Sequence, residues 1–239
     1  MAGHSVRQMS DLDEYTMLIA SLPHHGPLFA AKRTPINRVK LEARLKILRP
    51  DHYEALMLVV NALLWYALPL GLQETGIHAR VSEAMDRVES ETLRQVVRDR
   101  LEIRTCVAAL RHRAAGETSP PAGKDWGYGR WRNHIARTWS EPSFRLDGVF
   151  PWLREADQLL RDGETLKLER LLLEVVWRNL GRYAAKHEFD FEAVVIYVLR
   201  WNVIARWTLY NSEAATQRFA GLVDSALGEH AQLFQEGTS

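Results

Sequence analysis

FDFEAVVIYVLRWNVIARW, Phe189–Trp207, is the stretch whose reading decides the fold. Asp190 is a good helix N-cap, and Glu192 sets an acid in the first turn, where the helix dipole favours it. No proline or glycine interrupts the stretch. At about 100° per residue, Val194, Val198, Trp201 and Ala205 fall on one face, and Ile196, Ile204 and Trp207 on the opposite one. Val195, Leu199 and Val203 lie between them. A helix that is apolar all round is a buried helix. Arg200, Asn202 and Arg206 make it too polar, and its length too short, for a membrane span. The expectation is a central helix with others packed around it. Its two arginines then need partners, with Glu174 and Glu192 as candidate acids, because an unpaired buried charge is very costly.

The rest of the composition fits that reading. The chain has 239 residues, 46% hydrophobic and 26% charged, enough for one large domain or two lobes. A net charge of +1 gives no global pull toward nucleic acid or membrane. Cys106 is the single cysteine, which excludes an intrachain disulfide and a cysteine-based zinc site. The opening 23 residues lack the apolar core of a signal peptide, so a cytoplasmic location is expected. Six of the eight tryptophans lie beyond residue 130. Each brings a large apolar surface and one N–H that wants an acceptor when buried.

Along the chain, Tyr15–Leu22 reads equally as a strand or as a first helical turn, and PHHGP at 23–27 reads as a turn. Thr34-Pro35 predicts a helix start, with the helix running to Arg49. Its wheel carries two apolar stripes, Ile36, Val39, Ala43 and Ile47 against Leu41, Leu45 and Leu48, as if wedged between two neighbours. Asp51 and Glu54 read as a capping box for a helix over 52–68 that Pro69 and Gly71 end. The apolar run Leu56–Leu72 reads as buried helix rather than membrane span. Helical periodicity covers 77–115, with a break at Glu89–Ser90. Gly116–Lys124, GETSPPAGK, is the linker candidate, dividing an N-terminal helical lobe (1–115) from a tryptophan-rich C-terminal lobe (125–239). Within the second lobe, helices are expected over 130–139, 150–161, 164–186 and 212–233, with an ordered loop at 140–149 pinned by Phe144 and Leu146. The fold class is all-α, a bundle of roughly eight helices in one or two lobes.

Catalytic patterns are missing. His24 and His25 are adjacent in a turn and read as solvated, with no partner at metal-ligand spacing. His134 and His187 read as surface or capping histidines. No serine sits in a GxSxG elbow, and Cys106 reads as a buried, inert thiol. WGYGRW, 126–131, has GxG without the flanking strand of a phosphate loop, so loop use is expected. No enzyme, metal or cofactor is expected. The one electrostatic anomaly is the run from Lys32 to Arg49. It holds Lys32, Arg33, Arg38, Lys40, Arg44, Lys46 and Arg49 against the single acid Glu42. One reading is a solvated helix balanced by acids elsewhere. The other is a docking surface for an acidic partner or anionic lipid, with Arg33, Arg38, Lys40 and Arg44 in the run, and Arg200 and Arg206 on the central helix, as candidate partner-binding residues. No helix-turn-helix or RNA-binding signature accompanies the patch, so nucleic acid is the weaker choice of partner.

YTMLIASLP, WSEPSFRL, FPWL and FDFEAVV resemble a bacterial family encoded alongside V/A-type ATPases. FEAVVIYVLRWNVIARW is also similar to the segment near the C-terminus of the d-type (C) subunit of those ATPases; Phe191, Glu192, Val194, Val195, Tyr197 and Leu199 carry the likeness. This chain is shorter than the three-lobed d-type subunit. It reads Arg200-Trp201-Asn202 and Arg206-Trp207 where the family has a Lys- and Glu-rich half. The resemblance implies a non-catalytic, cytoplasmic protein, peripheral at the inner membrane, that joins the central rotor shaft to the proteolipid ring of the ATPase. The alternative is a free-standing helical adaptor that binds an acidic protein or nucleic acid through the basic 32–49 segment.

Overall fold

The structure, a computed structural model, describes residues 15–63, 75–122 and 126–211. Among them every regular element is a helix. α1 covers 15–21, and a 3-10 turn at Leu28–Ala30 leads to α2, Arg38–Leu45. There follow α3, Pro50–Leu63; α4, Thr75–Arg87; and α5, Glu91–Ala114. Then come α6, Arg132–Arg137; α7, Leu153–Arg161; α8, Thr165–Ala184; and α9, 191–211.

α9 is the buried helix that its sequence demanded. Val194, Val195, Ile196, Val198, Leu199, Trp201, Val203, Ile204 and Trp207 are all buried. Its first turn is closed as expected, with Asp190 Oδ1 accepting from Ala193 N at 2.8 Å. Around it pack α1, α2, α3, the last turns of α4 and the facing halves of α5 and α8, forming one apolar cluster. A second cluster joins Cys106, Ala109 and Leu110 of α5 to Trp126, Ile135, Trp139, Phe144, Leu153 and Leu168. α5 and α8 run through both, and Trp152 packs against each. Polar groups tie the two long helices together: Asp99 of α5 accepts from Asn179 (2.9 Å) and Tyr183 (2.8 Å) of α8.

Local chemistry moved several boundaries. The helix expected from Pro35 starts at Arg38, because Asn37 is extended and its side chain accepts from Lys40 N at 2.8 Å. It ends at Leu45 rather than Arg49. Asp51 is no cap either. α3 begins on Pro50, which needs no N–H bond there, and Asp51 in the first turn pairs with Arg49 at 2.6 Å. Ser90 caps α5 and divides it from α4, as the break at 89–90 suggested, and its hydroxyl donates to Glu192 at 2.5 Å. Tyr15–Leu22 resolves as helix. The expected stop at Pro69–Gly71, the tail before Tyr15 and the helix over 212–233 lie outside the described residues.

The 126–131 loop lies flat on α5. Thr105 Oγ1 accepts from Tyr128 N (2.6 Å) and lies 3.0 Å from Tyr128 O. Gly129 has φ +78°, and a Cβ there would stand 2.8 Å from Glu102 Cγ. At Gly127 a Cβ would stand 2.6 Å from Thr105 Cγ2, so both GxG glycines serve close packing. Downstream, Ser143, Phe144 and Arg145 form a left-handed turn with φ of 47°, 52° and 55°. Phe144 is fully buried, and its carbonyl accepts from His134 (2.9 Å) and Thr138 (3.0 Å), which holds the backbone in that strained region.

Candidate functional site: a basic groove framed by the central helix

Two residues of α9, one helical turn apart, hold the loops that form the walls of an open groove. Tyr197 donates its hydroxyl to Pro23 O at 2.8 Å, and Trp201 donates its indole N–H to Ile36 O at 2.8 Å. These bonds fix the loop after α1 and the loop before α2 at a set separation. Burial pushes the Tyr197 hydroxyl pKa up to about 12, so it remains a donor throughout the physiological range. Between the walls is a groove of about 570 Å³, lined by Ser21, Pro23, Thr34 and Asn37 and by the cations Arg33, Lys40 and Arg44. The N-terminus of α2 opens into it, adding the positive end of the helix dipole.

None of the three groove cations has a carboxylate within ion-pair distance among the described residues. Arg44 donates to the Ser21 carbonyl, which orients it along the groove without neutralising it. Unpaired like charges held together repel one another, and an anionic group placed among them would relieve that repulsion.

The other three candidate residues sit elsewhere. Arg38 is paired with Glu42 at 2.7 Å on the solvent face of α2. Arg206 is bound to Glu169 of α8 at 2.9 Å, both largely buried, so its partner is neither Glu174 nor Glu192. Glu174 instead pairs with Arg178, and Glu192 with the Ser90 hydroxyl. Arg200 has no carboxylate partner among the described residues; its guanidinium lies 3.9 Å above the Trp177 ring centre. A flat cation on an indole face is a less costly way to shelter charge than an acid brought into the core.

Arg200 belongs to a cluster that the sequence hid. His25 is not solvated. Its ring lies against Tyr197, tilted by 31° with centroids 4.0 Å apart, and meets Trp177 edge-on at 5.9 Å. Burial, with the charges of Arg200 and His24, pulls its pKa down to about 3, so it is neutral near pH 7. His24 is exposed, and its Nδ1 accepts from Gly26 N. Nothing in the PHHGP turn separates the two histidines. Only the positions of α8 and α9 do.

Two further groups can be assigned. His187, Asp190 and Glu192 have ligand atoms within 4.8 Å of one another, a spacing that a metal could use. Each is already engaged, His187 with Asp190 at 2.6 Å, Asp190 as the cap of α9, and Glu192 with Ser90. Cys106 is fully buried, and burial raises its thiol pKa far above the ordinary range, so it does not supply a thiolate. No helix among the described residues is long and apolar enough to cross a membrane. No family model, curated protein or solved structure matches the chain.

Proposed function

We propose that this chain is a non-catalytic helical binding protein that holds an acidic protein partner against the groove at Arg33, Lys40 and Arg44. The assembly it serves is a bacterial V/A-type ATPase, where it acts as an accessory or d-type-like (C-like) component, peripheral at the inner membrane, between the rotor shaft and the membrane ring. The observation that carries the binding role is the groove itself: Arg33, Lys40 and Arg44 line it with no carboxylate partner among the described residues, and the loops on either side are held by the Tyr197 and Trp201 hydrogen bonds. A held backbone loses little order on binding, and Arg44 is already oriented by its bond to the Ser21 carbonyl. The choice of assembly rests on the likeness of YTMLIASLP, WSEPSFRL, FPWL and FDFEAVV to proteins encoded with those ATPases.

The test is affinity purification of the tagged full-length chain from gently solubilised native membranes. Shaft or ring proteins of the ATPase should co-purify, and the pair Arg33→Glu and Lys40→Glu should release them while helical content is unchanged. Recovery without any ATPase component would overturn the assembly. An acidic partner held in a strongly salt-dependent way, but unconnected with the ATPase, would instead favour a free-standing adaptor using the same groove.

A further inference from the structure

α2 has one apolar stripe too many for the fold it belongs to. Leu41, Leu45 and Leu48 are buried and account for its packing. The second stripe, Val39, Ala43 and Ile47, points outward; Val39 is 75% exposed and Ile47 51%. The expectation of a helix wedged between two neighbours therefore fails among the described residues: one side is covered and the other is not. Only Ile36, from the same sequence stripe, is buried, because it lies in the loop before the helix.

The position of the open stripe relative to charge is what identifies its occupant. At about 100° per residue, Val39 and Ala43 fall at roughly 0° and 40° around α2, and Ile47 lies in the turn that follows its last residue, Leu45. Lys40 and Arg44 follow at roughly 100° and 140°, on the edge that lines the groove. On the other flank, at roughly −60°, stands Glu42, paired with Arg38. A narrow apolar seam thus runs along the cationic edge of α2, and Lys46 and Ile47, both exposed, follow in the turn beyond the helix. From Val39 to Ala43 the seam is about 6 Å long, roughly one turn of a facing helix. A membrane surface is a poor match, since interfacial helices carry Trp, Phe or Leu on the buried face and this seam has only Val, Ala and Ile.

We propose that the Val39–Ala43–Ile47 seam and its flanking cations dock one amphipathic, acidic helix of a protein partner. Its apolar face meets the seam, and its carboxylates reach Arg33, Lys40 and Arg44 in the groove. This inference rests on the acidic-partner reading above and adds the secondary structure and the polarity of the segment that is bound.

The experiment follows backbone amide shifts of the isotope-labelled full-length chain on titration with a synthetic helix of about 18 residues, built of Leu, Ala and Glu with Leu at heptad a and d. The expected result is a set of shifts confined to 33–47. Val39→Asp and Lys40→Glu should each weaken binding by roughly tenfold or more, while Lys167→Glu, on α8, leaves it unchanged. A scrambled peptide of the same composition that binds equally well would show that charge alone is read, and would overturn the proposal. So would no shifts at all, or binding to phosphatidylglycerol vesicles that consumes the same residues in preference to the peptide. A Val39→Cys variant adds a control, since Cys106 is buried. If maleimide fails to label it in the free protein, another part of this chain covers the seam and the proposal falls. Wild-type-like purification of ATPase components with Val39→Asp would remove this inference alone; absence of those components with intact peptide binding would remove only the assembly.

Discussion

Lowering the pH should destabilise this protein through His25, and the effect can be worked from the structure. The ring lies tilted against Tyr197, edge-on to Trp177 and close enough to Arg200 to feel its charge. Burial first, then Arg200 and His24, bring its pKa from the ordinary 6.5 to about 3. The folded protein therefore holds His25 neutral, whereas the unfolded chain takes up a proton below about pH 6.5. Stability rises with pH wherever the unfolded state binds more protons. The contribution is complete above about pH 6.5 and is lost as the pH falls from there toward 3. At pH 5 the loss is about 1.5 pH units, or about 2 kcal/mol. For a chain of this size that corresponds to roughly 4–8 °C in Tm. The assay is chemical unfolding at pH 7.5 and pH 5 for the wild type and for His25→Phe, which keeps a ring in the stack and removes the titration. Other histidines titrate in both proteins and cancel in the difference. Wild type should lose about 2 kcal/mol more than the variant between the two pH values. Parallel stability curves, or an NMR titration of His25 with a midpoint near 6.5, would refute the reasoning.

Other outcomes test the frame around the groove. Gly129→Ala should cost about 2–4 kcal/mol, from a left-handed backbone plus overpacking against Glu102, whereas Gly26→Ala, with φ +64° and open space, should cost only about 1 kcal/mol by thermal unfolding. Glu102 is buried, and burial raises its pKa despite Arg130 at 3.1 Å, so its charged form is disfavoured in the fold. Glu102→Gln should accordingly gain on wild type as the pH rises above the ordinary carboxylate range and lose that advantage in acid, read as the difference in unfolding free energy between pH 8 and pH 4. Arg206→Met should destabilise by about 3 kcal/mol by leaving the Glu169 carboxylate unpaired, and adding Glu169→Leu should recover most of it in a double-mutant cycle. Trp201→Phe removes the N–H that holds Ile36 O together with part of a buried ring. It should cost about 2–3 kcal/mol and loosen the loop before α2, seen as faster amide exchange over 34–37.

The sequence by itself determined the parts that depend on near neighbours in the chain. The all-round apolar pattern of 189–207, its Asp190 cap and the Ser90 break between α4 and α5 all follow from periodicity and side-chain chemistry within a few residues. The run of cations from Lys32 to Arg49 was legible too, but not which of them would be neutralised. Arg38 and Arg49 found acids within four positions, while Arg33, in the loop before α2, and Lys40 and Arg44, on α2, border a groove whose flanking loops are hydrogen-bonded by Tyr197 and Trp201, far along the chain. The same holds for the outward Val39 stripe and for neutral His25. Periodicity says that a helix has an apolar face, but whether that face or ring is buried depends on which distant helices pack against it. Burial and charge compensation are properties of three-dimensional neighbours, so the tertiary structure alone decided them.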